Sequence, residues 1–285
     1  MSAVRAGGRG RRGCNLRQPR RVPAAAGPAH IGALALSPIG AFARQHDPDR
    51  FLCALFAPPP AREAIFALVA LNHELARARE AATNPMAALI RLQWWRDAIE
   101  EARAGRPPRR HEVAAPLHAA ITAGALDPEA LLAMVDAREA EAQESIATEP
   151  DFVAWLRGTA GGWSAAAGLA LGLDRPVVPV VRGLGAAYGL AGGLRRVGGP
   201  AAPGGRLLPA DRLARAGLSP EAVAAAPGAP GLHDLAGEMA AEGLLALRGA
   251  RRDVPPGAIA AALPVVLARR DLARIAAGGG GQAAG

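Results

Sequence analysis

With 285 residues, 51% of them apolar and only 4% aromatic, the chain is long enough for one large or two small domains but poor in the residues that a β-sandwich uses. The net charge of +8 is concentrated: residues 1–21 hold seven arginines and no acid. The remainder carries 26 basic against 25 acidic residues, so the basic balance says little about the body's partners. Lysine is absent. The two cysteines, Cys14 and Cys53, are too few for a metal cluster, and with one in the tail they argue against a structural disulfide and for a reducing compartment.

Residues 1–46 read as a disordered, Arg-rich extension without the continuous apolar run of a secretory signal. Clustered arginines would also suit an anionic lipid or a nucleic acid, but no aromatics are interleaved for base stacking, so nucleic acid is not an expected partner. From Asp47 a helix is expected over 47–57, ended by Pro58-Pro59-Pro60. The clearest helix is 61–81, with Ile65, Leu68, Val69, Leu71 and Leu75 on one broad apolar face. Asn84-Pro85 stops it and starts 85–104, which Gly105 and Pro107 close. Further helices are expected at 112–123, 128–147, 150–172, 177–195, 232–249 and 257–275. Asp127-Pro128-Glu129 and Ser219-Pro220-Glu221 are good N-terminal signatures. The most apolar window, 177–194, contains Pro179, Arg182 and five glycines, which argues against a membrane span. The expected architecture is one all-α domain over 47–285, with 198–231 as a long Gly/Pro-rich loop and 276–285 as a flexible tail.

Most familiar catalytic signatures are missing. A phosphate-binding G-x-x-x-x-G-K-[ST] cannot occur without lysine, and the glycine clusters follow no strand. The six histidines are scattered and read as surface or capping residues. His73 and Glu74 are adjacent in a helix, where neighbours point about 100° apart and cannot easily cooperate. Ser164 lacks a nucleophile elbow. Gly185, Gly189 and Gly193 share one helix face, either for close packing or as a cavity wall. Trp94-Trp95-Arg96 reads as core packing with a snorkelling arginine.

Taken in order, PPPAREAIFALVALN, RLQWWRDAIEEARAG, FVAWLRGTAGGWSAAAGLALG, and LGAAYGLAGGLRRV followed by GRLLPADRLARAGLS resemble the squalene/phytoene synthase family. The resemblance covers about residues 47–275 and implies an isoprenoid-synthase-like helical bundle around a central cavity. It also implies two aspartate-rich motifs on facing helices, because a diphosphate leaving group needs Mg²⁺ and hard cations need carboxylate oxygens. Here the first motif falls on Ala76 and Glu80, and the second on Arg196 and Pro200 with its asparagine position on Gly192. Only Glu80 keeps a carboxylate.

Within the family, Asn72, Glu74, Leu75, Ala76, Arg91, Gln93 and Trp94 resemble a divergent group that includes a mitochondrial assembly factor for respiratory complex I, regarded as non-catalytic. The resemblance therefore implies a non-catalytic member in assembly or maintenance of complex I, cytoplasmic and peripheral to the inner membrane, with an isoprenoid or lipid ligand. Its expected partner is a subunit of that complex, and no cofactor is expected. The alternative is an active prenyltransferase, condensing isoprenyl diphosphates head to head with Mg²⁺ held by shifted ligands such as Glu74 and Glu80. A third reading is a lipid- or nucleic-acid-binding protein acting through the Arg-rich tail. Candidate ligand-binding residues are Arg62, Asn72, Glu74, Arg91, Trp94, Tyr188, Arg195 and Arg206. For Arg195, Arg196 and Arg206, phosphate binding and capping of a helix C-terminus remain open alternatives.

Overall fold

The computed structural model describes residues 36–82, 84–143, 145–197, 208–225, 230–248 and 254–278. Among these residues every regular element is helical, apart from one isolated bridge between Ile146 and Pro209.

The body begins at Pro38, earlier than the boundary expected near Asp47. Ser37 caps α1 (Pro38–His46) by accepting from Gly40 N, a Ser-Pro signature that Gly40 and the glycine-rich approach had obscured. Asp47 both ends α1 and caps α2 (Pro48–Ala54), accepting from Arg50 N at 3.0 Å. The three prolines after α2 end it and open α3 (Pro59–Glu80), whose stretch from Ala64 to Asn72 is buried throughout. Such continuous burial marks a helix with neighbours on all sides: α1, α4 (Pro85–Arg103), α5 (Ala114–Thr122) and α8 (Ala160–Ala170) all pack on it.

Two long helices of the sequence reading are interrupted. The expected helix 128–147 is α6 (Pro128–Arg138) followed by a 3₁₀ turn at Glu139–Ala142, which turns Glu141 inward. The expected helix 150–172 breaks at Thr159 into α7 (Glu149–Gly158) and α8. Thr159 lies at φ −86°, ψ −87°, and its hydroxyl donates to the Trp155 carbonyl at 2.7 Å, so a side chain competes with the helical ladder there. The 198–231 stretch is not all loop: α10 (Ala210–Arg215) and α11 (Pro220–Ala225) form within it, while 198–207 and 226–229 lie outside the described residues. At the C-terminal end, 257–275 becomes a 3₁₀ turn at Pro256–Ala258, then α13 (Ile259–Ala262) and α14 (Pro264–Ala276).

The second central helix is α9 (Val178–Arg195), which packs on α7, α8, α12 (Pro230–Leu247) and α14. It alone, among the described helices, has the length and hydropathy of a membrane span, yet Val181, Leu184, Tyr188 and Leu194 are buried against protein. The glycine stripe divides between its two expected roles. A Cβ on Gly185 would sit against Ser164 Oγ and 2.6 Å from the Ala160 carbonyl, so Gly185 lets α8 and α9 touch. A Cβ on Gly193 would meet nothing, so Gly193 leaves space. Gly185→Ala is therefore expected to destabilise the fold by about 2 kcal/mol, seen as a lower urea midpoint at unchanged slope, whereas Gly193→Ala should be near neutral or stabilising.

Candidate functional site

A cavity of about 420 Å³ opens between the C-terminal half of α3, the α1–α2 junction, the α7–α8 break and the last turns of α9. Ala76 and Glu80 line it from α3, and Gly192 and Arg196 line it from α9. The two motif segments thus face one another, but they bring a single carboxylate. Pro200 and Arg206 lie outside the described residues.

The chamber is basic. Arg50, Arg77, Arg138, Arg195 and Arg196 line it, against the carboxylates of Asp47 and Glu80. Three of these arginines are already held. Arg50 Nη1 meets Asp47 at 2.8 Å, Arg138 Nη1 meets Glu141 at 2.6 Å, and Arg195 Nη1 meets Asp271 of α14 at 3.0 Å. Arg195 is thus a tie between α9 and α14 more than a phosphate clamp. The other two are freer: Arg77 approaches Glu74 only to 3.8 Å, and Arg196 makes no ion pair among the described residues.

Arg50 is the group that sequence reading missed. Its guanidinium lies 5.0 Å from the Trp163 ring and 4.8 Å from the Tyr188 ring, between two aromatic groups, and its Nε is buried without a partner among the described residues. Tyr188, expected as a ligand residue, donates its hydroxyl to Asp49 at 3.0 Å, and burial pushes that hydroxyl's pKa well above the usual phenol value. Asn72 is buried and accepts from Arg138 Nη2 at 3.2 Å. The histidines were undervalued as well: His46 and His73 both line the chamber, with ring centroids 4.4 Å apart. Burial, then the neighbouring His46, lowers the His73 pKa, which keeps this ring neutral among the arginines. Glu74, its sequence neighbour, points elsewhere, as the helical offset requires.

Three of the remaining candidates gather at a neighbouring face of α3, with Arg77 shared between the two cavities. Glu74, Arg91 and Trp94 line a second cavity of about 260 Å³ with Arg77, Ala78, Trp95 and His111. Trp94 and Trp95 meet edge to face at 4.8 Å, and Arg109 stacks 4.9 Å from the Trp94 ring. Trp95 is core, as expected, while Arg96 bridges to Asp136 and Glu139 instead of snorkelling. Arg62 takes part in neither cavity: its Nε donates to the Ala57 carbonyl at 2.9 Å and ties the α2–α3 turn.

A Mg²⁺ cluster does not fit these residues. Of the chamber's two carboxylates, Asp47 is committed to Arg50, and Glu80 has no second acid on its helix face because Ala76 precedes it by one turn. No grouping of three or more His, Cys, Asp or Glu side chains suited to a metal occurs among the described residues. What the chamber offers instead is a set of guanidinium donors, which bind phosphate oxygens bidentately.

A family model described as "Squalene/phytoene synthase" matches residues 43–282. NADH dehydrogenase (ubiquinone) complex I, assembly factor 6, of Homo sapiens is 33% identical over 96 residues, which is 34% of this chain and 28% of that protein. The Rattus norvegicus counterpart is 33% identical over 124 residues, 42% of this chain and 35% of that protein. The alignment thus spans about a third of the length of these relatives. Squalene synthase HpnC from Alicyclobacillus acidocaldarius superposes with a TM-score of 0.64 at 21% identity, covering 85% of this chain and 92% of that one. A dehydrosqualene synthase solved with a ligand superposes with a TM-score of 0.66 at 14% identity, covering 81% and 82%. At these identities the likeness of the solved structures is one of fold.

Proposed function

The chain belongs to the squalene/phytoene synthase family, and from that premise we propose that it is a non-catalytic member acting in assembly or maintenance of respiratory complex I, with its basic chamber kept as a metal-free site for an isoprenoid or other lipid phosphate. The observation that carries this reading is the composition of the facing motif positions: Ala76, Glu80, Gly192 and Arg196 bring only one carboxylate to a cavity that five arginines line. Arginine can hold a diphosphate, but it replaces several divalent ions poorly in driving the group's departure, since its delocalised single charge donates hydrogen bonds without acting as a Lewis acid on the leaving oxygen. The similarity to complex I assembly factor 6 supports the assembly role. On this reading the protein is cytoplasmic and touches the inner membrane peripherally.

Two measurements test it. The purified protein with Mg²⁺ and farnesyl or geranylgeranyl diphosphate is expected to yield no hydrocarbon product and no released diphosphate. Membranes from a strain lacking the gene are expected to lose NADH–quinone oxidoreductase activity, and the wild-type gene should restore it. Steady turnover would remove the non-catalytic assignment, and unchanged oxidoreductase activity would remove the assembly role.

A further inference from the structure

Large exposed apolar side chains in soluble proteins are usually scattered singly. Here three of the nine among the described residues fall within five consecutive positions, and two more lie on helices that pack against α2. Leu52, Leu55 and Phe56, at 57%, 38% and 67% exposure, crowd into five positions at the end of α2. α13 and α14, which both pack on α2, add Ile259 and Val266 at 38% and 53%.

The charges on the exposed face of α14 have one sign. Val266, Arg269, Arg270 and Arg274 recur at helical spacing along the exposed face of α14. The only acid on α13 or α14 is Asp271, which is buried, pairs with Arg195 at 3.0 Å and lies 4.0 Å from Arg274; Arg269 and Arg270 make no ion pair among the described residues. The acids closest along the chain are also engaged: Asp47 pairs with Arg50, Asp49 accepts from Tyr188, and Glu63 accepts from Ser37. Exposed Leu, Phe, Ile and Val side chains with Arg269 and Arg270, which have no acidic partner among the described residues, complement the acyl boundary and phosphates of a bilayer. A protein partner would instead have to bring its own acids to Arg269 and Arg270.

We propose that the face formed by the end of α2, α13 and α14 docks on an anionic phospholipid surface. This rests on the peripheral-membrane part of the proposed function and not on what the chamber binds. The same short helix joins the two: Asp47 and Arg50 at the start of α2 line the chamber, and Leu52, Leu55 and Phe56 at its end face outward.

The test is flotation of the full-length chain with phosphatidylcholine–phosphatidylglycerol vesicles and, separately, with phosphatidylcholine alone. Wild type is expected to float with the anionic vesicles and far less with the neutral ones. Leu52→Glu with Phe56→Glu is expected to lower the partition coefficient by about tenfold or more. Arg269→Glu with Arg270→Glu is expected to lower it by roughly fivefold per arginine, with a weaker salt dependence. Neither variant alters residues 1–21, so binding that persists unchanged in both would assign the contact to the Arg-rich segment and overturn the proposal. Failure of wild type to float would also overturn it, while an intact deletion phenotype would leave the assembly role standing. Light scattering on the same samples covers the remaining occupant: a dimer that Leu52→Glu with Phe56→Glu dissociates, with vesicle binding unchanged, would give this face to a second copy of the chain. Thermal melts verify folding. Were the apolar double variant to unfold, the arginine variant, on an exposed helix face, decides the question.

Discussion

Glu141→Ala is expected to destabilise the protein by about 3 kcal/mol, a fall of roughly 6 to 10 °C in Tm. Glu141 is 6% exposed and accepts from Arg138 Nη1 at 2.6 Å and from Trp155 Nε1 at 2.9 Å. Removing its carboxylate strands a guanidinium and an indole N–H in a largely buried site, and an uncompensated buried donor costs more than a made hydrogen bond contributes. Glu141→Gln keeps an acceptor for Trp155 but loses the charge, so it should cost roughly half as much. The effect should reach the chamber, because Arg138 also holds Asn72 and lines the cavity. The contrast is Arg96, which pairs with Asp136 and Glu139 at the surface; losing those exposed pairs should cost under about 1 kcal/mol. A Glu141→Ala protein melting within about 2 °C of wild type would show that the trio is not a stabilising unit.

The same trio marks where sequence reasoning stops. The bounds of α3 and α4 were legible because prolines and Asn84 punctuate them, and these signals act within a few residues. The break at Thr159 was less visible, since a threonine hydroxyl competes with the ladder only in one local geometry. Nothing local announces that Glu141 turns inward, because its partners are set by tertiary packing. The facing of Ala76 and Glu80 with Gly192 and Arg196 was legible only through resemblance to a family, as no periodicity relates segments more than a hundred positions apart. Arg50 escaped for a related reason: its aromatic partners, Trp163 and Tyr188, lie on other helices. For Arg195 the sequence leaves phosphate binding and helix capping open because Asp271 is remote in sequence, and its pairing belongs to the packing of α9 on α14.

The freer arginines carry the other large expected effect. If the chamber holds a lipid phosphate through guanidinium groups, farnesyl diphosphate should bind equally well, within about twofold, in Mg²⁺ and in EDTA. Arg196→Glu should then weaken binding roughly 10- to 100-fold, the range expected when a charge-assisted hydrogen bond is lost. Arg77→Glu should do the same to a smaller extent, because Glu74 already draws on it at 3.8 Å. Arg196 is the better probe, since it is exposed and makes no ion pair among the described residues, so reversing its charge should leave the melting temperature unchanged. Arg195→Glu is the control in the other direction: it would set a carboxylate against the buried Asp271 and should lower stability as well as affinity. Titration calorimetry in both buffers reads the affinities, and thermal melts read the stabilities. Binding abolished by EDTA would return the site to the metal, with Glu80 as its anchor, and the arginines would then be the walls of an active centre instead of its substitute.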